Sequence, residues 1–168
     1  MSIRPARLED WDALWRIFHQ IVQTGDTYGY EPATTQENAR ELWMELPQQT
    51  FVCEADGIVE GTYYIKSNHA GPGSHVCNCG YMVSANARGK GLASAMCEHS
   101  QRIALELGYK AMQYNLVASS NSGAIRLWKK HGFTEAGRLP GAFNHPELGY
   151  VDALVMFKWL AEDHASTS

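Results

Sequence analysis

ARGKGLASAM, residues 87–96, sets an arginine, two glycines and a lysine directly before small apolar residues. Apolar positions then recur at helical spacing through Leu92, Ala95, Met96, Ile103, Ala104 and Leu107, and Gly108 stops them, which predicts a helix over 91–107. The preceding stretch, HVCNCGYMVS (75–84), reads as a strand. The glycines therefore sit between a strand and a helix. The first turn of a helix carries unpaired backbone N–H groups and a partial positive charge. Glycine there removes the Cβ that would hold an anion away and lets the backbone curl. Phosphate suits such a place, and Arg88 and Lys90 add positive charge beside it. Taken alone, Gly-x-Gly is equally a tight turn. Its spacing is neither that of the Walker loop nor that of the dinucleotide fingerprint.

Working outward, SIRPA predicts a first strand and Asp10 can cap a helix over 11–23, with Leu14, Ile17, Phe18, Ile21 and Val22 as its buried stripe. A Gly- and Pro-punctuated loop follows. Thr35 opens a second helix to about 46, stopped by Pro47. TFVCEADGIVEGTYYIK reads as a hairpin about Asp56-Gly57. KAMQYNLVA is a strand, SSNSGAIRLWKKHGF a loop feeding a helix, and two strands at about 134–139 and 150–159 are joined by PGAFNHPELG. This mixture predicts one α/β domain over 1–160 with a mixed sheet and a frayed tail over 161–168.

The chain has 168 residues, 45% hydrophobic and 19% charged, enough for a core without disulfides or metal. A net charge of −4 argues against nucleic acid or an anionic membrane as a general partner, so any anion site must be local. No apolar run has the length of a membrane span. The start MSIRPARLEDWD lacks a signal-peptide core, giving a cytoplasmic expectation. Cys53, Cys77, Cys79 and Cys97 follow no framework spacing and read as packed free thiols.

The second informative stretch is NSGAIRLWKKHGF, 121–133. Together with Arg88, Gly89, Lys90, Gly91, Leu92 and Ala93 it resembles the GNAT superfamily of acyl-CoA N-acyltransferases. The first segment fits that family's Q/R-x-x-G-x-G/A pyrophosphate motif. The second fits its N-x-x-A-x-x-L/F-Y-x-x-x-G-F helix at Asn121, Ala124, Leu127, Gly132 and Phe133. The resemblance implies a GNAT fold: a mostly antiparallel sheet with one splayed parallel strand pair and helices on both faces. It implies acetyl-CoA as acyl donor, with pantetheine along the backbone of Tyr81, Met82 and Val83. Pyrophosphate would lie on 88–93, and Asn121 would contact the cofactor. A homodimer is also implied. The family's tyrosine is replaced by Trp128, whose indole is no useful acid near neutral pH and reads as packing against pantetheine.

On the 75–84 strand, His75, Cys77, Cys79 and Tyr81 share one face, and Asn78, Gly80 and Met82 the other. Asn78 and, on the next strand, Asn115 are mid-strand amides. They could bind a small polar acceptor, for instance its carboxylate, or satisfy loop backbone groups. The loop after the first helix, the GPGSHVCNCGYMV strand, the asparagine pair, Trp128 and FNHPELGYVDALVM together look like the L-azetidine-2-carboxylate (proline-analogue) N-acetyltransferase branch. That narrower resemblance makes Asn78 and Asn115 substrate-binding and catalytic residues, with Tyr28 and Tyr30 closing the pocket. The implied chemistry is direct transfer to the amine of a small molecule, an amino acid or proline analogue, with water as relay for the base. Other acceptors, such as a phosphinothricin-like amino acid, a polyamine or a protein N-terminus, and a non-catalytic acyl-CoA sensor, remain open. His75-x-Cys77-x-Cys79 with His69 lacks the usual zinc spacing, so no metal is expected. His145 is an exposed loop histidine with a base role left open. Trp11, Trp15 and Trp43 read as core.

Overall fold

The computed structural model describes residues 1–162, so the expected tail lies, apart from Ala161 and Glu162, outside the described residues. Among these residues one sheet holds seven strands: β1 (Ser2–Pro5), β2 (Gln49–Ala55), β3 (Ile58–Ser67), β4 (Val76–Val83), β5 (Ala111–Ala118), β6 (Thr134–His145) and β7 (Gly149–Trp159). Their order is β1-β2-β3-β4-β5-β7-β6. Only β4 and β5 run parallel; every other neighbouring pair is antiparallel. The helices are α1 (Trp11–Val22), α2 (Gln36–Arg40), α3 (Leu92–Glu106) and α4 (Ser122–Lys130).

The five apolar residues of the α1 stripe are all buried. Ile17, Phe18, Ile21 and Val22 meet Trp43, Tyr64 and Met82 in one core cluster. The opposite face of the sheet packs Cys77, Cys79 and Tyr81 of β4 with Leu92, Met96, Cys97 and Ala104 of α3 and Trp128 of α4. Strand alternation sends successive β4 side chains into different layers, which puts helices on both faces of a mixed sheet, as the resemblance implies. Trp43 is the fully buried tryptophan of the three, whereas Trp11 and Trp15 lie half-buried at the rim of the α1 cluster.

Two elements differ from the sequence expectation. The second helix is regular only over Gln36–Arg40, where Thr35 Oγ1 accepts the Asn38 N–H at 3.2 Å. Residues Glu41–Glu45 then widen into a π turn, closed by Leu46 N–H to Glu41 O at 2.9 Å. The wider turn seats Trp43. Its Nε1 donates to Thr62 Oγ1 at 3.0 Å, and its carbonyl accepts from Thr50 Oγ1 at 2.5 Å. The second correction concerns PGAFNHPELG, which is mostly strand rather than connection. β6 runs on to His145, and β7 pairs with it again at Phe143↔Val151 and His145↔Gly149. Pro140 and Gly141 mark a register shift between Leu139 and Phe143 instead of a turn, and the Gly141 N–H is taken by Asp152 Oδ1 at 3.0 Å.

Gly80 shows how tightly β4 fits its layer. A Cβ there would stand 2.6 Å from Cε1 of Tyr64, whose ring is wedged edge-on against Trp43 at 4.8 Å. The Gly80→Ala variant is expected to lose about 1–3 kcal/mol by overpacking, read as an earlier denaturant midpoint. An unchanged midpoint would mean that the Tyr64 ring yields freely.

Candidate active site

The parallel pair β4–β5 is joined only at Val76↔Ala111 and Cys77↔Met112. Beyond Cys77 the strands diverge. Asn68 N–H donates to Val76 O and Ser84 N–H to Glu60 O, so the even-numbered residues of β4 bond β3. The backbone groups of Cys79, Tyr81 and Val83 consequently face the gap. The Tyr28 hydroxyl fills part of it: it accepts the Tyr81 N–H at 2.9 Å and donates to the Tyr81 carbonyl. Buried backbone groups need such partners; here a side chain from the loop after α1 takes the place of the missing strand.

That loop is held by aromatic packing. Tyr28 and Tyr30 stack at 5.8 Å, both meet Trp43 edge-on, and Tyr30 packs on Phe18 at 5.3 Å. Between them Gly29 approaches Leu116 so closely that a Cβ would lie 3.0 Å from Leu116 Cδ2, which lays the loop over β5. The Tyr28 ring keeps an exposed edge while its hydroxyl is enclosed. Burial pushes the phenols of Tyr28, Tyr30 and Tyr64 above the usual tyrosine range, so all three keep their protons at neutral pH.

The asparagine pair is brought to one place, but not as two equivalent buried amides. Asn78 is buried. It accepts the Tyr64 hydroxyl at 2.9 Å and donates through Nδ2 to Gln113 O at 2.9 Å, bracing the crotch of the splay. Asn115 is exposed, because β5 bulges between Tyr114 and Val117 and turns both Asn115 and Leu116 outward. Its Oδ1 accepts from Gln113 Nε2 at 2.9 Å and its Nδ2 donates to Asn68 Oδ1 at 2.7 Å. Gln113 and Asn68, which the sequence reading missed, thus link the pair into a row of four amides. The i, i+2 spacing of Gln113 and Asn115 on a strand was the available signal; Asn68 offered none.

The glycine turn lies at the start of α3. Gly89 and Gly91 have φ of +76° and +82°, and a Cβ at either would meet nothing within 4 Å. No side chain caps α3, so the N–H groups of its first turn have no side-chain acceptor. Arg88 and Lys90 beside them are exposed and have no ion pair among the described residues. This open, curled, uncapped helix start fits a phosphate group. Leu92 itself is buried and Ala93 half-buried. The side chain of Tyr81 is buried in the α3 core, so this residue offers the gap its backbone alone, with Val83 half-buried beside it. Met82 buries its side chain in the opposite core and, as an even-numbered residue, spends its backbone on β3, so it does not face the gap, contrary to what the resemblance implies. Asn121 caps α4, its Oδ1 accepting from Ala124 N at 3.2 Å. Trp128 packs on Tyr81 and Tyr114, with centroids 5.1 and 4.8 Å away.

Several residues fall elsewhere. The Nδ1 of His145 accepts the N–H groups of Glu147 and Leu148 and so closes the β6–β7 turn. All four cysteines are free and buried, and burial pushes the Cys79 and Cys97 thiols up, away from nucleophilic character. Among the described residues no three His, Cys, Asp or Glu side chains gather as metal ligands. Two surface clefts, of about 480 and 650 Å³, lie between Glu98, His131 and Lys158 and between Trp11, Asn38 and Glu45; neither is lined by a residue of the splay.

The family model described as "Acetyltransferase (GNAT) family" matches residues 11–133, which include the splay, the glycine turn and α4. The chain belongs to the GNAT acetyltransferase family. It is therefore an acetyltransferase. N-acetyltransferase aca1 of Schizosaccharomyces pombe is 39% identical over 156 residues, covering 80% of this chain and 72% of that protein. A GCN5-related N-acetyltransferase from Kribbella flavida superposes with a TM-score of 0.90 at 42% identity, over 95% of this chain and 97% of that one. A phosphinothricin acetyltransferase from Sinorhizobium meliloti, solved in complex with AcCoA, shares the fold (TM-score 0.85, 19% identity, 98% and 91% covered). Among the described residues no helix is long and apolar enough to cross a membrane.

Because the Tyr28 hydroxyl caps the Tyr81 N–H, Tyr28→Phe is expected to raise the exchange rate of that amide about tenfold or more while leaving the core amides of α1 and β3 protected. Hydrogen exchange read by NMR checks this. Unchanged exchange at Tyr81 would mean that another group covers the amide.

Proposed function

We propose that the chain transfers the acetyl group of acetyl-CoA directly to the amine of a small acceptor, an amino acid or proline analogue. The observation that carries the reading is the splay: unpaired strand backbone at Tyr81, flanked on one side by an uncapped glycine turn and on the other by the amide row. In this reading the free N–H groups within 88–93 hold the pyrophosphate, the Lys90 N–H being turned to Ala87 O at 3.3 Å, with Arg88 and Lys90 adding side-chain charge. The backbone of Tyr81 and Val83, on either side of Met82, aligns pantetheine between β4 and β5. Asn121 keeps its Oδ1 on the helix and turns its Nδ2 to the cofactor, and Trp128 walls the thioester end. The proposal keeps the homodimer and the cytoplasmic setting of the sequence reading.

The chemistry follows from what these groups can donate. An acceptor ammonium loses a proton to water, its nitrogen attacks the thioester carbon and the C–N bond forms, the nitrogen of the adduct gives a second proton to water, and the C–S bond breaks to release the thiolate and the neutral amide. Negative charge grows on the carbonyl oxygen during attack. The Tyr81 N–H is a fixed donor for it, once the Tyr28 hydroxyl has released it. Tyr28, protonated by burial, remains beside the reacting atoms as a second donor. Indole at position 128 supplies no acid, so CoA leaves as thiolate. Asn78 and Asn115 border the acceptor, and holding amine and thioester together supplies much of the rate.

An acceptor screen with acetyl-CoA, reading free thiol, tests the proposal. Amino acids and proline analogues are expected to release thiol, whereas spermidine and an N-terminal peptide are not. Asn78→Ala and Asn115→Ala should each cut kcat/KM for the acceptor by about tenfold or more, the worth of one good hydrogen bond, with acetyl-CoA affinity near wild type. Loss of acetyl-CoA binding in both variants would overturn their placement at the acceptor. Thiol release with spermidine or the peptide alone would overturn the acceptor class.

A further inference from the structure

We infer that Lys66, with Asn68, anchors the carboxylate of the acceptor. The inference rests on the amino-acid reading above and adds to it the residue that selects the acid. Lys66 lies on β3 directly across from Asn78, on the face that also carries Tyr64. Its Nζ stands 5.1 Å from the centroid of the Tyr64 ring, the ring whose hydroxyl bonds Asn78. The side chain is half-buried, and no carboxylate within ion-pair distance neutralises it among the described residues. The side chains placed with it, Thr62, Tyr64, Asn78, Gln113, Asn115 and Asn68, are all neutral.

The amide row explains why a cation is needed there. Asn78 Nδ2 is engaged by Gln113 O, Gln113 Nε2 by Asn115 Oδ1, and Asn115 Nδ2 by Asn68 Oδ1. Asn78 donates to the Gln113 main chain, and Gln113 and Asn115 each donate to the next side-chain amide, so one N–H of each is already engaged and none of these neutral groups supplies a charge to balance an anion. The row ends at Asn68, whose Nδ2 is enclosed and has no acceptor. A buried donor left without a partner is costly and calls for an explanation. Asn68 follows Lys66 by two residues, and its N–H continues the β3–β4 ladder to Val76 O, so both side chains project from the same face. An ammonium and an unfilled amide N–H on one face suit a carboxylate. The same ammonium repels a polyamine, and a peptide N-terminus brings no carboxylate close to its amine. The acceptor class that remains is an α-amino or α-imino acid, its amine toward Tyr81 and its carboxylate toward Lys66.

The test compares acids with their carboxamides. Purified wild type, Lys66→Met and Lys66→Arg are assayed with acetyl-CoA on L-proline and L-azetidine-2-carboxylate, each beside its own carboxamide. The carboxamides have the less basic, more readily deprotonated amines, so intrinsic reactivity favours them and a preference for the acids must come from the protein. Wild type is expected to favour the acids in kcat/KM by about 100-fold, and Lys66→Met to lower that ratio by about tenfold or more through a raised KM for the acids. KM for the carboxamides and for acetyl-CoA should stay within about twofold, and Lys66→Arg should restore most of the preference. Thermal melts of the variants show whether folding is intact. A Lys66→Met enzyme that keeps the wild-type ratio overturns the anchor while leaving the amino-acid reading standing. A wild type that prefers the carboxamides, or releases no thiol with either acid, overturns both.

Discussion

Two strands that pair over two residues and then part impose the central constraint on this protein. A parallel pair normally satisfies backbone groups along its whole length, yet beyond Cys77 and Met112 the ladder between β4 and β5 stops. The N–H and C=O of Tyr81 are left facing a gap in the interior, where unpaired polar groups are expensive. The chain meets this with one hydroxyl. Tyr28 bonds both groups, and its ring is set by Tyr30 and Trp43. The π turn around Trp43, the close approach of Gly29 to Leu116 and the brace from Asn78 to Gln113 all serve the same opening. A binding gap in the middle of a sheet is possible because its edges are pinned on every side.

The alternation of β4 divides the labour. Tyr81 reaches with its side chain into the α3 layer, where its hydroxyl meets Ser100 Oγ at 2.7 Å and Tyr114 Oη at 3.0 Å, while its backbone stays in the gap. Trp128 packs against the rings of those two tyrosines. Burial pushes the phenols of Tyr81 and Tyr114 far up, so neither serves as an acid in place of the family tyrosine that Trp128 replaces. The opposite layer carries Asn78, Tyr64 and Lys66, all on strand positions rather than on loops. Groups on strands are held more rigidly than groups on loops, which suits the geometry of a reacting pair.

Much of this was legible in the residues because periodicity reports burial. The α1 stripe, the Asp56-Gly57 hairpin, the alternation of β4 and the strand-glycine-helix context of 87–96 all follow from patterns that local chemistry enforces. The failures share a cause. A π turn at Glu41–Glu45 has the composition of a helix and is created by where Trp43 must go. Pro140 and Gly141 look like a turn and are a bulge because β7 supplies a partner from beyond them. Asn115 stands in mid-strand and is nevertheless exposed, because β5 bulges between Tyr114 and Val117. The Tyr28 bonds to the Tyr81 backbone and the placement of Asn68 and Lys66 depend on contacts between elements far apart in sequence, which no local pattern records.

Acetyl transfer at the splay requires the donor to engage a particular set of main-chain amides. An amide-resolved NMR titration with coenzyme A measures this directly. The expected result is that the signals of 88–93, at the glycine turn, and of 81–83, at the splay, move together and saturate at one concentration, while those of β1 and β6 stay in place. Saturable binding that shifts other amides and leaves Gly89, Gly91 and Tyr81 unmoved would contradict the account.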